Sequence, residues 1–433
     1  MAPSTRTLDR EIAALAIPAA LALATDPLYD LCDTAILGHI GTPQLAGAAL
    51  ASRLLAFGYA AFVFLMFGTT AAVARHRGAG DERASAEQAV AAVWIALVLG
   101  VLAAAVFAVT GRSLIGALGG RGEVARHAWT YLWVSLAGMP AFTTVMAGVG
   151  FLRGRGDTRT PLAVAAASVT LNLVLEIVLV FGLHRGVGAS AFGTVVAKWV
   201  GALVYVTVIV RSARAQRASW RPRFGVLRGQ LLVGRDLVIR TTLLLGVLAA
   251  AQTLAARIGV DALAAHAIAF QLWIFAAYAT DGLEAAGQTL IAHRLGAGRR
   301  AEVVAVARRL IVWAARLGLG FGVVVLATSR LTPHVFTSDP AVIAAASTTL
   351  VWVALLQPVN AVAFALDGVL VGASEQGYLA VAMAVATVVF AIAAFGAHGL
   401  DAGLNGVWAA ISAFMITRCA AAVWRLRSIG AAA

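Results

Sequence analysis

The chain has 433 residues, of which 61% are hydrophobic and 12% charged, and its formal net charge is +13. Soluble domains carry about 25% charged residues, so the composition excludes an ordinary soluble protein and indicates a polytopic helical membrane protein. A nucleic-acid partner for the excess positive charge is excluded by where the basic residues lie along the chain.

Twelve predominantly apolar segments have about the 20 residues needed to cross a bilayer. The predicted spans are residues 11–38, 44–74, 86–110, 127–152, 160–183, 189–210, 231–257, 263–292, 303–328, 342–371, 377–397 and 403–424. With the N-terminus inside, most of the 33 Lys and Arg residues fall in cytoplasmic loops, which is the positive-inside distribution. We therefore predict a multi-pass protein of a prokaryotic inner membrane, in contact with the lipid bilayer and with both termini cytoplasmic. Its first helix should be retained, because the apolar stretch is longer than a signal-peptide core.

The first span contains an acidic motif, TDPLYDLCDTAILGHIG, from Thr25 to Gly41. Asp26, Asp30 and Asp33 are four and three residues apart, so they share one helix face. An ionised Asp at mid-membrane costs about 2.5–3.5 kcal/mol on insertion scales, so this face should meet a wet cavity or polar partners. Pro27 predicts a helix bend. Adjacent like charges oppose each other's ionisation, which favours a carboxyl that exchanges protons; a structural polar patch is the alternative.

The fifth and sixth spans carry further polar residues. Asn172 and Glu176, in TLNLVLEIVLVFGL, are four residues apart and share a helix face. Thr194 lies early in the next span. These side chains offer oxygen ligands for a hard cation such as Na⁺, or hydrogen-bond partners for a protonated acid. Thr194 could equally bond to its own helix backbone.

The chain also matches itself at an offset of 218 residues. Ile40-Gly41 recurs as Ile258-Gly259, and Pro140 recurs as Pro358. Six spans per repeat is an even number, so the halves should be parallel repeats related by an axis along the membrane normal. We predict an N-terminal lobe at 1–210, a cytoplasmic basic linker at 211–230 and a C-terminal lobe at 231–433.

The second lobe has polar side chains inside its predicted spans. They could contact a cationic substrate, couple protons, or form interhelical hydrogen bonds, and the sequence leaves these roles open. The candidates are Gln252, Gln271, Asp281, Glu284 and Asp367.

At these residues the chain resembles the multidrug and toxic compound extrusion (MATE) transporters, in particular their DinF-like branch. The resemblance rests on PLYDLCDTAILGHIG, on FLRGRGDTRTP followed by LNLVLEIVLVFGL, and on LDGVLVGASEQ. It implies an all-α, V-shaped membrane protein of twelve transmembrane helices in two lobes. Such transporters need no cofactor and expel amphipathic, often cationic compounds while protons or sodium ions enter.

The resemblance also implies roles for particular residues. The first-helix acid of the family falls on Asp33, its fifth-helix Asn and acid on Asn172 and Glu176, and a sixth-helix Thr on Thr194. The family usually has Asp where this chain has Glu176, and the extra methylene disfavours sodium geometry more than proton coupling. Asp26 and Asp30 match no family role. Asp281 and Asp367 match the DinF-like pattern in position only.

The sequence thus predicts a monomeric secondary antiporter that exports amphipathic, cationic organic compounds by alternating access. A lipid or lipid-linked saccharide flippase of the same fold is the nearest alternative, but acids dominate over Arg within the spans. A membrane-embedded enzyme is disfavoured, because no His-x-x-x-His pair, Gly-x-Ser-x-Gly elbow or phosphate loop is present. An ion channel is a third alternative, which the lone acids of a two-lobe repeat disfavour.

Overall fold

The computed structural model describes residues 4–183, 186–221 and 224–431. Within this range it does not describe the side chains of 26, 27, 30, 31, 430 and 431. Asp26, Asp30 and Pro27 therefore lie in a helical backbone, while the predicted roles of their side chains fall outside the described part of the chain.

The described residues are helical almost throughout. In chain order the helices are α1 (Thr5–Ile40), α2 (Thr42–Ala60), α3 (Val63–Gly78), α4 (Glu82–Ala117), α5 (Gly122–Leu136), α6 (Met139–Gly154), α7 (Arg159–Ile177), α8 (Val187–Ala215), α9 (Phe224–Ile258), α10 (Val260–Gly296), α11 (Arg300–Thr328), α12 (Pro333–Phe336), α13 (Pro340–Gly372), α14 (Gln376–Gly399) and α15 (Gly403–Ala431). A π-helical turn at Val178–Gly182 continues α7.

These helices confirm the all-α membrane fold. Among the described residues, ten helices are long and apolar enough to cross a membrane, or eleven if α5 and α6 form one span bent by 51°. Helix α1 occupies the position of the first predicted span. Each predicted segment is helical, because a chain in lipid must satisfy its backbone hydrogen bonds internally. The predicted spans 44–74 and 127–152 are each broken into two helices, α2 with α3 and α5 with α6.

The chain forms two compact units. The N-terminal unit comprises Leu21–Gly234, and the C-terminal unit comprises Met1–Ala20 together with Arg235–Ala433. Within the C-terminal unit, Arg309 and Trp313 of α11 both donate to the Asp9 carboxylate, the indole Nε1 at 2.7 Å. The start of α1 is thereby anchored by charge-assisted hydrogen bonds.

Glycines bring helices into close contact at corresponding places in the two units. Gly150 and Gly154 of α6 face α3, where a Cβ on Gly150 would lie 2.6 Å from the Met66 carbonyl oxygen. Gly368 and Gly372 of α13, which are 218 residues further on, face α10 in the same way, and a Cβ on Gly368 would overlap a backbone carbonyl. Small residues four apart are a recurrent device for packing membrane helices. The internal repeat is therefore visible in helix packing as well as in sequence.

Candidate functional site

Three helices of the N-terminal unit each present a polar pair spaced by four residues. The pairs are Tyr29 and Asp33 on α1, Asn172 and Glu176 on α7, and Ser190 and Thr194 on α8. Because residues four apart lie on the same helix face, each pair forms a short polar stripe. The three stripes meet in the interior of this unit.

Asp33 is the acceptor at one end of the cluster. Its side chain is only 8% exposed, and Oδ1 accepts hydrogen bonds from the Tyr29 hydroxyl at 3.3 Å and from the Ser190 hydroxyl at 3.0 Å. Two hydroxyl donors stabilise the charge of a buried carboxylate. Asp33 is thus a buried carboxyl group with two hydroxyl donors.

Thr194 connects Asp33 to α7. Its Oγ1 accepts a hydrogen bond from Asn172 Nδ2 at 3.1 Å and lies 3.1 Å from the Tyr29 hydroxyl. The same hydroxyl lies 3.3 Å from the Ser190 carbonyl oxygen of its own helix, so its one proton can be donated either to that carbonyl or to the Tyr29 oxygen. A continuous hydrogen-bonded path therefore runs from Asp33 through Tyr29 and Thr194 to Asn172.

Glu176 is fully buried, and of its polar neighbours only Asp33 was predicted from the sequence. Its carboxyl group has Asp33, Ser190 and Tyr29 as polar neighbours, yet neither oxygen has a hydrogen-bond partner among the described side chains. An ionised carboxylate buried without a partner is strongly disfavoured. A proton or a cation would satisfy this pair of acids. The π-helical turn that follows Glu176 is of the kind often found at functional sites.

The oxygen atoms present would also fit a hard cation. Asp33, Glu176 and the Asn172 Oδ1, which has no hydrogen-bond partner among the described residues, lie in the same cluster as the Thr194 hydroxyl. Sodium prefers such oxygen ligands. Among the described residues, no group of three or more His, Cys, Asp or Glu side chains is arranged to hold a metal ion.

Two cavities adjoin the cluster. One of about 410 Å³ is lined by Asp33, and one of about 120 Å³ is lined by Asn172. Tyr29, Phe142, Thr194 and Lys198 line both cavities. The hydrogen bond between Tyr29 and Thr194 is therefore part of the wall that separates them.

Close packing of α7 and α8 fixes the distance between their stripes. A Cβ added to Gly193 of α8 would lie 3.1 Å from Asn172 Oδ1 and 3.4 Å from Leu175 Cβ. Contacts at this distance are tighter than ordinary van der Waals separation, so glycine allows Asn172 to reach Thr194.

The acids of the C-terminal unit have a different environment. Asp367 is fully buried, and its Oδ2 accepts hydrogen bonds from both Arg240 of α9 and Arg418 of α15. Glu284 of α10 lies 3.7 Å from Arg240, and the Arg418 guanidinium lies 4.7 Å from the Phe364 ring centroid. The carboxylate of Asp367 is therefore neutralised internally.

The remaining candidates of this unit are Asp281, Gln252 and Gln271. Asp281 is half-buried and acts electrostatically on Arg240 and Glu284. Gln252 and Gln271 are exposed, and no hydrogen bond between described residues joins them to Asp367.

The polar cluster of the N-terminal unit is not repeated. The residues 218 positions after Asn172 and Glu176 are Phe390 and Ala394, which pack in a hydrophobic cluster of the C-terminal unit. The sequence repeat therefore extends to helix packing and not to this site.

Sequence reasoning missed Tyr29, Ser190, Lys198, Arg240 and Arg418. Spacing could have identified the first three, because each lies four residues from a predicted site residue on the same helix. The two arginines carry no such signal, since their partner Asp367 lies 127 and 51 residues away along the chain.

Comparison with known proteins gives concordant matches. The MatE family model matches residues 18–178 and 238–395. Protein DETOXIFICATION 44, chloroplastic, of Arabidopsis thaliana is 30% identical over 98% of this chain and 83% of its own length. DNA damage-inducible protein F of Escherichia coli is 29% identical over 96% of this chain and 92% of its own length.

Solved structures show the same fold at lower identity. The Vibrio cholerae MATE transporter VcmN in the bent form has a TM-score of 0.91 at 20% identity, covering 99% of this chain and 98% of that one. A MOP superfamily transporter from Pyrococcus furiosus has a TM-score of 0.88 at 21% identity, covering 98% and 96%. These likenesses establish the two-lobe fold.

Proposed function

The chain belongs to the MatE family of multidrug extrusion transporters, and on that premise we propose that it exports amphipathic, cationic organic compounds in exchange for protons. It is a multi-pass membrane transporter and not an enzyme.

The observation that carries the proposal is the buried pair of carboxyl groups at Asp33 and Glu176. Both carboxyl groups are almost fully shielded from solvent. Asp33 accepts hydrogen bonds from hydroxyl groups, whereas the Glu176 oxygens accept none from the described side chains. Two adjacent buried acids cannot both stay ionised without a compensating charge. The pair is therefore suited to take up a proton and release it when its surroundings change.

The proposed cycle uses alternating access between the two lobes. With Asp33 ionised, the hydroxyl groups of Tyr29 and Ser190 hold the carboxylate. Protonation removes the charge and weakens those bonds, which favours a different arrangement of α1. The energy available equals the difference in proton affinity between the two conformations. A cationic substrate would be attracted while Asp33 is ionised and would be released when Asp33 is protonated.

The test uses purified protein in proteoliposomes loaded with a fluorescent cationic dye. A pH gradient or a sodium gradient is imposed separately, and dye efflux is followed for wild type, Asp33→Asn and Glu176→Gln. Asp261→Asn is the matched control, because Asp261 is an exposed carboxyl at the start of α10. We expect efflux driven by the pH gradient, its loss in Asp33→Asn, its reduction in Glu176→Gln and no change in the control.

Three results would redirect the assignment. Normal efflux by folded Asp33→Asn would overturn the role of Asp33. Efflux driven only by sodium would make Asp33, Asn172, Glu176 and Thr194 a cation site. Absence of dye movement under either gradient would favour the lipid or saccharide flippase.

Other features of the proposal follow from family membership and topology. We place the protein in a prokaryotic inner membrane as a monomer with both termini cytoplasmic. The Arg-rich segment 211–230 is proposed as the connection between two functional lobes.

A further inference from the structure

Lys198 is the single lysine in the sequence, and all the other residues among the 33 Lys and Arg are arginine. It lies one turn beyond Thr194 on α8, and it lines both cavities of the N-terminal unit. Among the residues that line the 410 Å³ cavity, all of them described, Lys198 is the one basic side chain and Asp33 the one acidic side chain. The cavity therefore contains an internal cation as well as an acid.

The Lys198 ammonium faces an aromatic surface. Its Nζ lies 5.6 Å from the ring centroid of Phe142, within the range of a cation–π interaction. Phe142 in turn stacks on Tyr59, with ring centroids 3.9 Å apart and an interplanar angle of 22°. Both rings line the same cavity as Asp33. This arrangement is a partly aromatic cage whose cation is supplied by the protein itself.

Aromatic faces and a nearby carboxylate are also what an organic cation needs. The face of Phe142 attracts a delocalised or quaternary cation through the ring quadrupole, and Asp33 adds a longer-range attraction. An anion would instead be attracted by the ammonium of Lys198. The same surface thus distinguishes substrates by charge. Whether it prefers cations or anions depends on where the lysine side chain lies.

We propose that the stacked pair Phe142–Tyr59 binds the cationic group of a substrate and that the Lys198 ammonium competes for this face as a tethered cation. A bound organic cation displaces the lysine from Phe142. Lys198 therefore lowers the affinity for cations and sets which cations are retained. This inference rests on the proposed export of organic cations and adds to it a specificity-determining residue.

The binding test uses two ions of equal shape and opposite charge, tetraphenylphosphonium and tetraphenylborate. Their affinities are measured on the full-length chain in detergent, with protein-free micelles subtracted, for wild type, Lys198→Met and Lys198→Arg. A cation–π contact is worth about 0.5–2 kcal/mol, so Lys198→Met should shift the ratio of the two affinities about 2- to 30-fold towards the phosphonium. Lys198→Arg keeps a cation that can lie over Phe142, so the affinity ratio should not shift towards the phosphonium as it does in Lys198→Met.

A second measurement exploits the single lysine. Reductive methylation with ¹³C-formaldehyde keeps the positive charge and labels one side chain besides the N-terminal amine. Its methyl resonance should carry a ring-current shift from Phe142, which moves towards the free-lysine position when tetraphenylphosphonium binds. In Phe142→Leu the shift should already be absent, and the preference for phosphonium over borate should fall.

The outcomes separate the two proposals. Binding of phosphonium to wild type with an unchanged affinity ratio in Lys198→Met overturns the role of Lys198 alone. A methyl resonance that does not move on binding overturns it independently, even if Lys198→Met does not fold. Failure of both ions to bind wild type and Lys198→Met overturns this inference together with the proposed export of organic cations.

Discussion

Replacing Asp367 by Asn should destabilise the protein by about 3–5 kcal/mol, because it removes one partner of a buried ion cluster. Asp367 is 0% exposed, and the side chains of Arg240 and Arg418 are 6% and 2% exposed. Without the carboxylate, two buried guanidinium groups face a neutral amide. The other carboxyl group near Arg240, that of Glu284, is 3.7 Å away and does not replace a hydrogen-bonded carboxylate.

A double-mutant cycle isolates the coupling. Arg240→Met leaves Asp367 paired with Arg418, while Asp367→Asn together with Arg240→Met removes one charge of each sign. The double mutant should therefore be less destabilised than the sum of the two single mutants by about 1–3 kcal/mol. Stability is measured by equilibrium unfolding of the purified protein in mixed micelles titrated with sodium dodecyl sulfate.

The matched control is Asp236→Asn, whose carboxylate pairs with the 64% exposed side chain of Arg235. Surface pairs are worth about 0–1 kcal/mol, so this change should have little effect. The reasoning would be refuted if Asp367→Asn cost no more than Asp236→Asn. Strict additivity in the cycle would likewise show that Arg240 and Asp367 do not act as a pair.

Three smaller perturbations test local packing. Gly193→Ala places a Cβ 3.1 Å from Asn172 Oδ1. We expect a clear fall in pH-driven dye efflux, while the free energy of unfolding decreases by no more than about 1 kcal/mol. Efflux equal to that of wild type would contradict the positioning role of Gly193. Ser374 has φ 64°, so Ser374→Gly should raise stability by about 0.5–1 kcal/mol, measured by thermal unfolding, and a decrease would count against strain at this turn. Gly368→Ala should destabilise by about 1–3 kcal/mol, whereas the control Gly246→Ala, with no heavy atom within 4 Å, should stabilise slightly; similar effects at both positions would oppose the close-packing argument.

The sequence was sufficient to predict the helical fold. Long apolar segments in lipid have one solution for their backbone hydrogen bonds, so composition alone locates them. The constant offset also predicted two similar halves, and the recurrence of Gly150 as Gly368 shows the physical reason, since both positions must lack a Cβ. Bends and helix ends were less predictable, because the break between α5 and α6 depends on local backbone geometry.

The candidate site was partly predictable. The four-residue spacing of Asn172 and Glu176, with the family resemblance, pointed to side chains that the structure brings together with Thr194 and Asp33. The expectation that acids dominate within the spans was incomplete. Lys198 lines the cavity, and the pairing of Arg240 and Arg418 with Asp367 joins three helices distant in sequence. Such pairings arise only from tertiary packing, so no local sequence pattern predicts them.

The anchoring of Asp9 by Arg309 has a consequence for biosynthesis. The two residues are 300 positions apart, and translation at about 5–20 residues per second would separate their emergence from the ribosome by roughly 15–60 s. Throughout that interval the start of α1 is in the nascent chain without the helix that later holds it. The first turns of α1 therefore acquire these native contacts only after α11 has been made, although their own backbone was synthesised about 300 residues earlier.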